Sequence, residues 1–278
     1  MAYKDILVVA DDTPESKERV QYAIRLAARH EAHAIGMMLR DDLSFAGYAA
    51  ADVFSGDVDT RRQTEDAAHA RVREGFERSA QAAGVAHEWH STEGDPVRTT
   101  ALFSRHADIA VIGQSGREGG AFGASRDLAE HVVLASGRPV IVVPHFGTYP
   151  KVGERVMVAW DASREAARAV ADALPVLQQA AEVVIFSVDP EERGDRHGPV
   201  PGADLGRHLA RHGVNVSVEK LSAPDVPISH LILNRISDAG IDLLVMGAYG
   251  HARIRELWLG GVTRDLLKSM TVPVLLSH

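Results

Sequence analysis

The chain has 278 residues, more than one ordinary domain of roughly 100–200 holds, and 45% of them are hydrophobic against 24% charged. A formal net charge of -8 argues against sequence-independent binding to nucleic acid or to an anionic membrane. There are no cysteines, which excludes disulfides, thiol catalysis and cysteine-bound zinc and fits a reducing compartment.

The first residues enter a short apolar run at once, without the basic region, longer apolar stretch and small-residue cleavage site of a signal peptide. No stretch approaches the ~18 uninterrupted apolar residues that span a bilayer. The expectation is a soluble, cytoplasmic protein with neither a nucleic-acid nor a membrane partner.

Taken in chain order, short Val/Ile/Leu runs without polar alternation predict strands near residues 4–10, 33–39, 86–92, 108–113 and 139–144. A second set is expected near 155–160, 182–188, 214–221, 241–247 and 273–277. After the first strand, Thr13 and Pro14 read as an N-cap and a first helical position. Val20, Ala23, Ile24 and Ala27 then give that helix an apolar face. The equivalent helix of the second set carries Val170, Ala173, Leu174 and Leu177, with Pro175 expected to kink or shorten it.

The two sets are a repeat. Ile6-Leu-Val-Val-Ala-Asp11 returns 150 residues on as Val156-Met-Val-Ala-Trp-Asp161. Ile109-Ala-Val-Ile-Gly113-Gln-Ser-Gly116 returns 134 residues on as Leu243-Leu-Val-Met-Gly247-Ala-Tyr-Gly250. The first half therefore holds extra residues, and the aperiodic stretch 41–60 is an obvious place for them, as a surface loop or lid. Alternating strands and helices imply parallel pairing with right-handed crossovers. The domains are expected over 1–145 and 154–278, joined by a linker at 145–153.

The segment from Val245 to Arg264 carries the chemistry. It leaves a strand, turns at Gly247 and Gly250, loops for nine residues and opens a helix at Gly260 and Gly261. Glycines let backbone N–H groups approach phosphate oxygens, and a helix N-terminus adds donors and a favourable dipole. Thr263 offers a hydroxyl, while His251, Arg253, Arg255 and Arg264 bring cationic groups to an acidic chain. A lone Gly-x-x-Gly would more often merely turn the chain; the second glycine cluster at a helix start shifts the reading to a phosphate site.

Gly247-x2-Gly250-x9-Gly260, followed by a small residue and Val-Thr, resembles the ATP-binding signature of the universal stress protein family, here as two copies over essentially the whole chain. The resemblance implies two tandem flavodoxin-like, or adenine-nucleotide α-hydrolase-like, α/β domains, each a five-stranded, mainly parallel sheet with helices on both faces. It also implies roles. Ala159 and Asp161 would contact the nucleoside, and Val188 would meet the adenine through its backbone. Gly247 and Gly250, with His251 beside them, would lie along ribose and phosphates. Gly260, Gly261, Val262 and Thr263 would cradle the phosphates. Gly261 stands where the family has Ser or Thr, which loses a hydroxyl donor worth on the order of 1 kcal/mol.

The first half departs from the signature. Gly113 and Gly116 keep the turn, but Arg126 and Asp127 then face Gly260 and Gly261, or, in the other alignment, Phe122 faces Gly260 across a loop four residues shorter. No nucleotide site of the family type is expected there, and Asp11 reads as a turn or capping residue.

Other constellations are weaker. His87 and His90 lie on opposite faces of one strand, and His208, His212 and Asp204 share a helix face without a further ligand. Trp89, Trp160 and Trp258 read as packing residues, with Trp160 able to border the pocket. The expected function is a stress-response regulator that binds an adenine nucleotide (ATP, or ADP or AMP, with Mg2+ as the accompanying metal) in its second half. It would act through an unknown protein partner or as a homodimer. The alternatives are a slow ATPase or phosphotransferase and a ligand-free dimeric scaffold; catalytic residues are not assigned.

Overall fold

The structure, a computed structural model, describes residues 2–40, 58–115, 128–188, 202–223, 225–249 and 261–278, without the side chains of 58–62. The first half runs β1 (Asp5–Val9), α1 (Pro14–His30), β2 (His33–Arg40), α2 (Val58–Ala82), β3 (His87–Glu93), α3 (Pro96–Ser104), β4 (Ile109–Gly113), α4 (Leu128–Ser136) and β5 (Val140–Val143). The second runs β6 (Arg155–Ala159), α5 (Arg164–Leu177), β7 (Glu182–Val188), α6 (Ala203–Arg211), β8 (Val216–Leu221), α7 (Ile228–Ala239), β9 (Leu243–Gly247), α8 (Gly261–Ser269) and β10 (Val274–Ser277). All ten expected strands form, with ends within two residues of their expected positions.

The strands build one ten-stranded sheet in the order β3-β2-β1-β4-β5-β10-β9-β6-β7-β8. Every pairing is parallel except the central one, where β5 and β10 run antiparallel with Ile141 opposite Leu275. Each half thus supplies a five-stranded doubly wound unit, and the halves join through their last strands. The edges that would otherwise invite pairing between chains are used within the chain.

Both faces of the sheet are covered, so the inner strands are apolar on both sides, while the edge strands β3 and β8 carry polar residues. β1 sends Ile6 and Val8 to the face covered by α1, α2, α5 and α6, and Leu7 and Val9 to the face covered by α3, α4, α7 and α8. On α1, Val20, Ala23, Ile24 and Ala27 are buried as the spacing expects. Thr13 occupies the N-cap position, but its hydroxyl does not cap the helix; it bonds to Asp11 instead. Pro175 lies inside α5, which ends two residues later and has 14 residues against the 17 of α1. Residues 41–57, most of the expected inserted stretch, lie outside the described residues; α2, with 25 residues against 9 in α6, carries much of the extra length of the first half.

Polar contacts pin the halves together. Tyr3 Oη donates to Asp172 O at 2.7 Å, and Arg29 Nε donates to Gln179 Oε1 at 3.0 Å. The linker is held on α1, where Glu18 accepts from Tyr149 N at 2.8 Å and Arg25 donates to Tyr149 O at 2.9 Å. Among the described residues, no helix is long and apolar enough to cross a membrane.

Candidate functional site

In the second half the chain winds outward from β6 to β8 and then returns to β9 on the other side of β6. The helices that follow β6 and β9 cover opposite faces of the sheet, so a crevice opens beyond the carboxyl ends of these strands, the usual place for a ligand in such sheets. A cavity of about 780 Å³, counting its open mouth, occupies this position. Its apolar part is made by Phe186 and Val188 of β7, Ile228 and Ile232 of α7, and Met246 of β9. Its polar rim is made by Asp161, Ser163 and the first turn of α8, Gly261 to Thr263.

The segment after β6 is built by local bonding. Asp161 Oδ1 accepts from Ser163 N at 3.0 Å and from Ser163 Oγ at 2.6 Å, while Ser163 Oγ also accepts from Ala166 N at 3.1 Å and caps α5. Trp160 N donates to Phe186 O at 2.9 Å and Ser187 Oγ donates to Trp160 O at 3.1 Å, which ties the segment to β7. Three non-glycine residues among those described have positive φ, and two of them, Ala162 (56°) and Tyr249 (61°), border the crevice. Such conformations cost roughly 1–2 kcal/mol each and gather at functional sites.

Of the residues expected from sequence, Ala159, Asp161, Val188, Gly247, Gly261, Val262 and Thr263 all line this one cavity. Gly250, His251 and Gly260 lie outside the described residues. Gly247 lines the crevice with its backbone, yet its missing side chain is required on the other side. A Cβ there would overlap the start of α5, 2.6 Å from the carbonyl carbon of Glu165. Phe186, Ile228, Ile232, Met246 and Tyr249 were not singled out by sequence. Phe186 precedes Val188 by two on one strand face, and Ile228 and Ile232 are one helical turn apart, so period alone could have grouped each pair. Ser163 is both the cap of α5 and the partner of Asp161.

The matching place in the first half is filled by the protein itself. Arg19 of α1 reaches Asp11, with Nη2 2.6 Å from Oδ2 and both side chains buried. Asp11 Oδ1 accepts from Thr13 N at 3.0 Å, as Asp161 does from Ser163. Burial pushes the Asp11 carboxyl up, but the Arg19 charge and the bonds from Thr13 and Arg19 outweigh it and hold the carboxyl below its usual range. The Arg19 guanidinium also lies where a Cβ on Gly113 would stand. At the start of α4, Ser115 Oγ accepts from Ala129 N at 3.1 Å.

His208 and His212, read in the sequence as sharing a helix face without a further ligand, meet edge to face with centroids 4.7 Å apart, while Asp204 pairs with Arg207. No group of three or more His, Cys, Asp or Glu among the described residues is arranged to hold a metal ion.

The model of the universal stress protein family matches residues 2–144 and again 153–278. A universal stress protein of Synechocystis sp. is 28% identical over 176 residues, which cover 60% of this chain and 57% of that protein. One from Methanocaldococcus jannaschii is 37% identical over 51 residues, 18% of this chain and 32% of that protein. Both alignments thus span less than two thirds of these curated relatives. Among solved structures, a universal stress protein from Archaeoglobus fulgidus superposes with a TM-score of 0.73 at 20% identity, covering 98% of this chain and 95% of that one. A functionally unknown protein of Pseudomonas aeruginosa superposes with a TM-score of 0.59 at 12% identity, covering 99% and 92%.

Proposed function

Since the chain belongs to the universal stress protein family and carries two copies of its domain, we propose that its second half binds one adenine nucleotide, ATP in the first instance, in the crevice between β6 and β9. The observation that supports this reading is the convergence of seven residues, chosen from the sequence alone, on one cavity. A flat base fits the apolar part between β7 and α7. Asp161 stands at the carboxyl end of β6, where it would accept from a ribose hydroxyl. The first turn of α8 presents backbone N–H groups and the Thr263 hydroxyl to phosphates, with the helix dipole in the favourable sense. Mg2+, where present, would accompany the phosphate chain, and Asp161 is the one carboxylate among the described lining residues.

Occupancy of this crevice is the signal in this reading, and a protein partner or a second copy of the chain is its reader. Calorimetric titration of the full chain with ATP, ADP and AMP tests it. One site per chain is the expected result. Failure of all three nucleotides to bind overturns the reading, and two equivalent sites overturn its restriction to the second half. Light scattering over a wide concentration range, with and without ATP, tests the self-association.

A further inference from the structure

The helix that faces the cavity is held at its far end by the other half of the molecule. α8 begins at the cavity with Gly261, Val262 and Thr263 and ends with its ninth residue, Ser269. The last carbonyls of a helix have no partners within it. Here two of them are met by Gln114, a first-half residue immediately after β4. Its Nε2 donates to Leu267 O at 2.7 Å and to Lys268 O at 3.1 Å. The side chain is oriented from both ends, since Gln114 Oε1 accepts from His145 N at 3.0 Å, and the backbone is fixed by Gln114 N donating to Val143 O at 2.9 Å.

The contact is not repeated by the pseudo-symmetry. Gly113 and Gly247 are equivalent, so the counterpart of Gln114 is Ala248, which has no side-chain donor to offer α4. The end of α4 is instead served from within its own half, by Arg105 donating to Ala135 O at 3.3 Å. Of these two equivalent helices, α8 is the one whose last carbonyls are met by a described side chain of the other half.

We propose that Gln114 is a positioning residue for the nucleotide site: it fixes the axial position of α8 from the first half, so that the phosphate-facing turn of the second half is completed only in the tandem chain. This rests on the nucleotide reading above. A 9-residue helix is too short to be stable alone, and its placement depends on what packs against it and what terminates it. Releasing its last carbonyls lets it shift along its axis, and the shift reaches Gly261 to Thr263. The base and ribose subsites rest on β6, β7, β9 and α7, which Gln114 does not touch.

The test compares Gln114→Ala, Gln114→Glu and Gln114→Lys with the parent in the full chain. Glu keeps the acceptor for His145 N and loses the donor to α8, whereas Lys keeps a donor. The expected result is a roughly three- to tenfold loss of ATP affinity in the Ala and Glu variants, with adenosine affinity unchanged, and recovery of ATP affinity in the Lys variant. Equal losses for adenosine and ATP, or no loss for either, overturn the proposal. Hydrogen exchange without nucleotide supplies an independent reading: amides of α8 should exchange faster in Ala and Glu than in the parent or Lys. Unchanged exchange overturns the proposal whatever the nucleotide does. If the parent binds no nucleotide while α8 exchange does respond, the functional reading falls and takes the site role of Gln114 with it.

Discussion

The two crevices share a backbone plan and differ in the side chains that the chain places in them. Each lies beyond the carboxyl ends of the strands where the winding reverses, and each opens on an aspartate that bonds to a hydroxyl residue two positions on. In the first, Arg19 supplies the cation for Asp11 and Ser115 bonds to an amide of the first turn of α4. In the second, the residue equivalent to Arg19 is Ala169, the one equivalent to Ser115 is Tyr249, and a cavity remains. The same backbone plan therefore carries two different sets of side chains: in the first half the chain's own Arg19 and Ser115 meet the aspartate and the helix amide, and in the second half they have no counterpart.

The largest effect should come from breaking the first of these sets. Arg19→Met leaves the buried Asp11 carboxylate without its cation, and a loss of about 3–5 kcal/mol in urea unfolding is expected. Asp11→Asn combined with Arg19→Met should recover most of it, because no uncompensated charge remains. Asp11 titrates below its unfolded value of 3.8. The contribution of the pair is therefore full above that pH and lost as pH falls through the folded value, and Arg19→Met should lose this acid limb. ATP stoichiometry should stay at one per chain, since the second crevice is untouched. An unchanged urea midpoint would mean that Arg19 does not hold the first crevice closed.

Next in size is a contrast between the two equivalent glycines. Gly247→Ala drives a Cβ against the backbone of Glu165 and Ala166, which cannot swing aside; about 1–3 kcal/mol of stability and most of the nucleotide binding should be lost. The atoms nearest a Cβ at Gly113 belong to the flexible side chain of Arg19, its guanidinium first. The cost of Gly113→Ala should therefore largely vanish in the Arg19→Met background, a non-additivity that a double-mutant cycle would read directly. Full additivity would show that the two substitutions act at independent places.

A third effect concerns whether the halves respond as one body. His30 ends α1 at the join, buried, with its ring centroid 4.9 Å from that of Tyr3 and Nδ1 3.4 Å from Gln179 Nε2. Burial, reinforced by the neighbouring Arg29, pushes its pKa down from 6.5 to about 4. Below pH 6.5 the unfolded chain takes up a proton that the folded chain refuses, so stability should fall from there to about pH 4 and level off in this contribution. His30→Gln should flatten that part of the thermal-melting profile. An identical slope in the variant would assign the acid sensitivity elsewhere.

Much of this contrast was legible in the sequence, and the illegible part has a common cause. The inner strands, buried on both faces, leave continuous apolar runs, whereas the edge strands β3 and β8 carry polar residues and followed from the alternation of elements; the doubled Asp and Gly-x-x-Gly motifs set the alignment of the halves. Phe122, Arg126 and Asp127, which carry the expectation for the first loop, lie outside the described residues. What fills the first crevice was not legible. Arg19 stands on a helix, where one more arginine reads as a solvated charge, and its distance to Asp11 depends on how α1 lies on the sheet. Gln114 reaches a helix more than 150 residues away, through a join between β5 and β10 whose register no local pattern states. Gly247 was read for the ligand, whereas its missing side chain answers to α5.

The smallest expected effect lies at Gly261, where the sequence leaves the family signature. A serine there could fail for two reasons: a left-handed backbone, or a neighbour too close for a side chain. Neither holds. Gly261 is not among the glycines of positive φ, and among the described residues nothing stands within 4 Å of where its Cβ would be. It is also exposed at the start of α8, where a serine costs the helix less than glycine does. Gly261→Ser should therefore fold as the parent does and place a hydroxyl at the turn that faces the cavity. The expected gain in ATP affinity is roughly 0.5–1.5 kcal/mol, about two- to tenfold, with adenosine unaffected. Arranged this way, the substitution also locates the phosphates. A gain for ATP that persists for ADP but not AMP would put the hydroxyl beside the β-phosphate, and a gain confined to ATP would put it beside the γ-phosphate. Titration of both variants with the three nucleotides and adenosine makes the distinction, and weaker ATP binding in a correctly folded Gly261→Ser would remove α8 from the phosphate site.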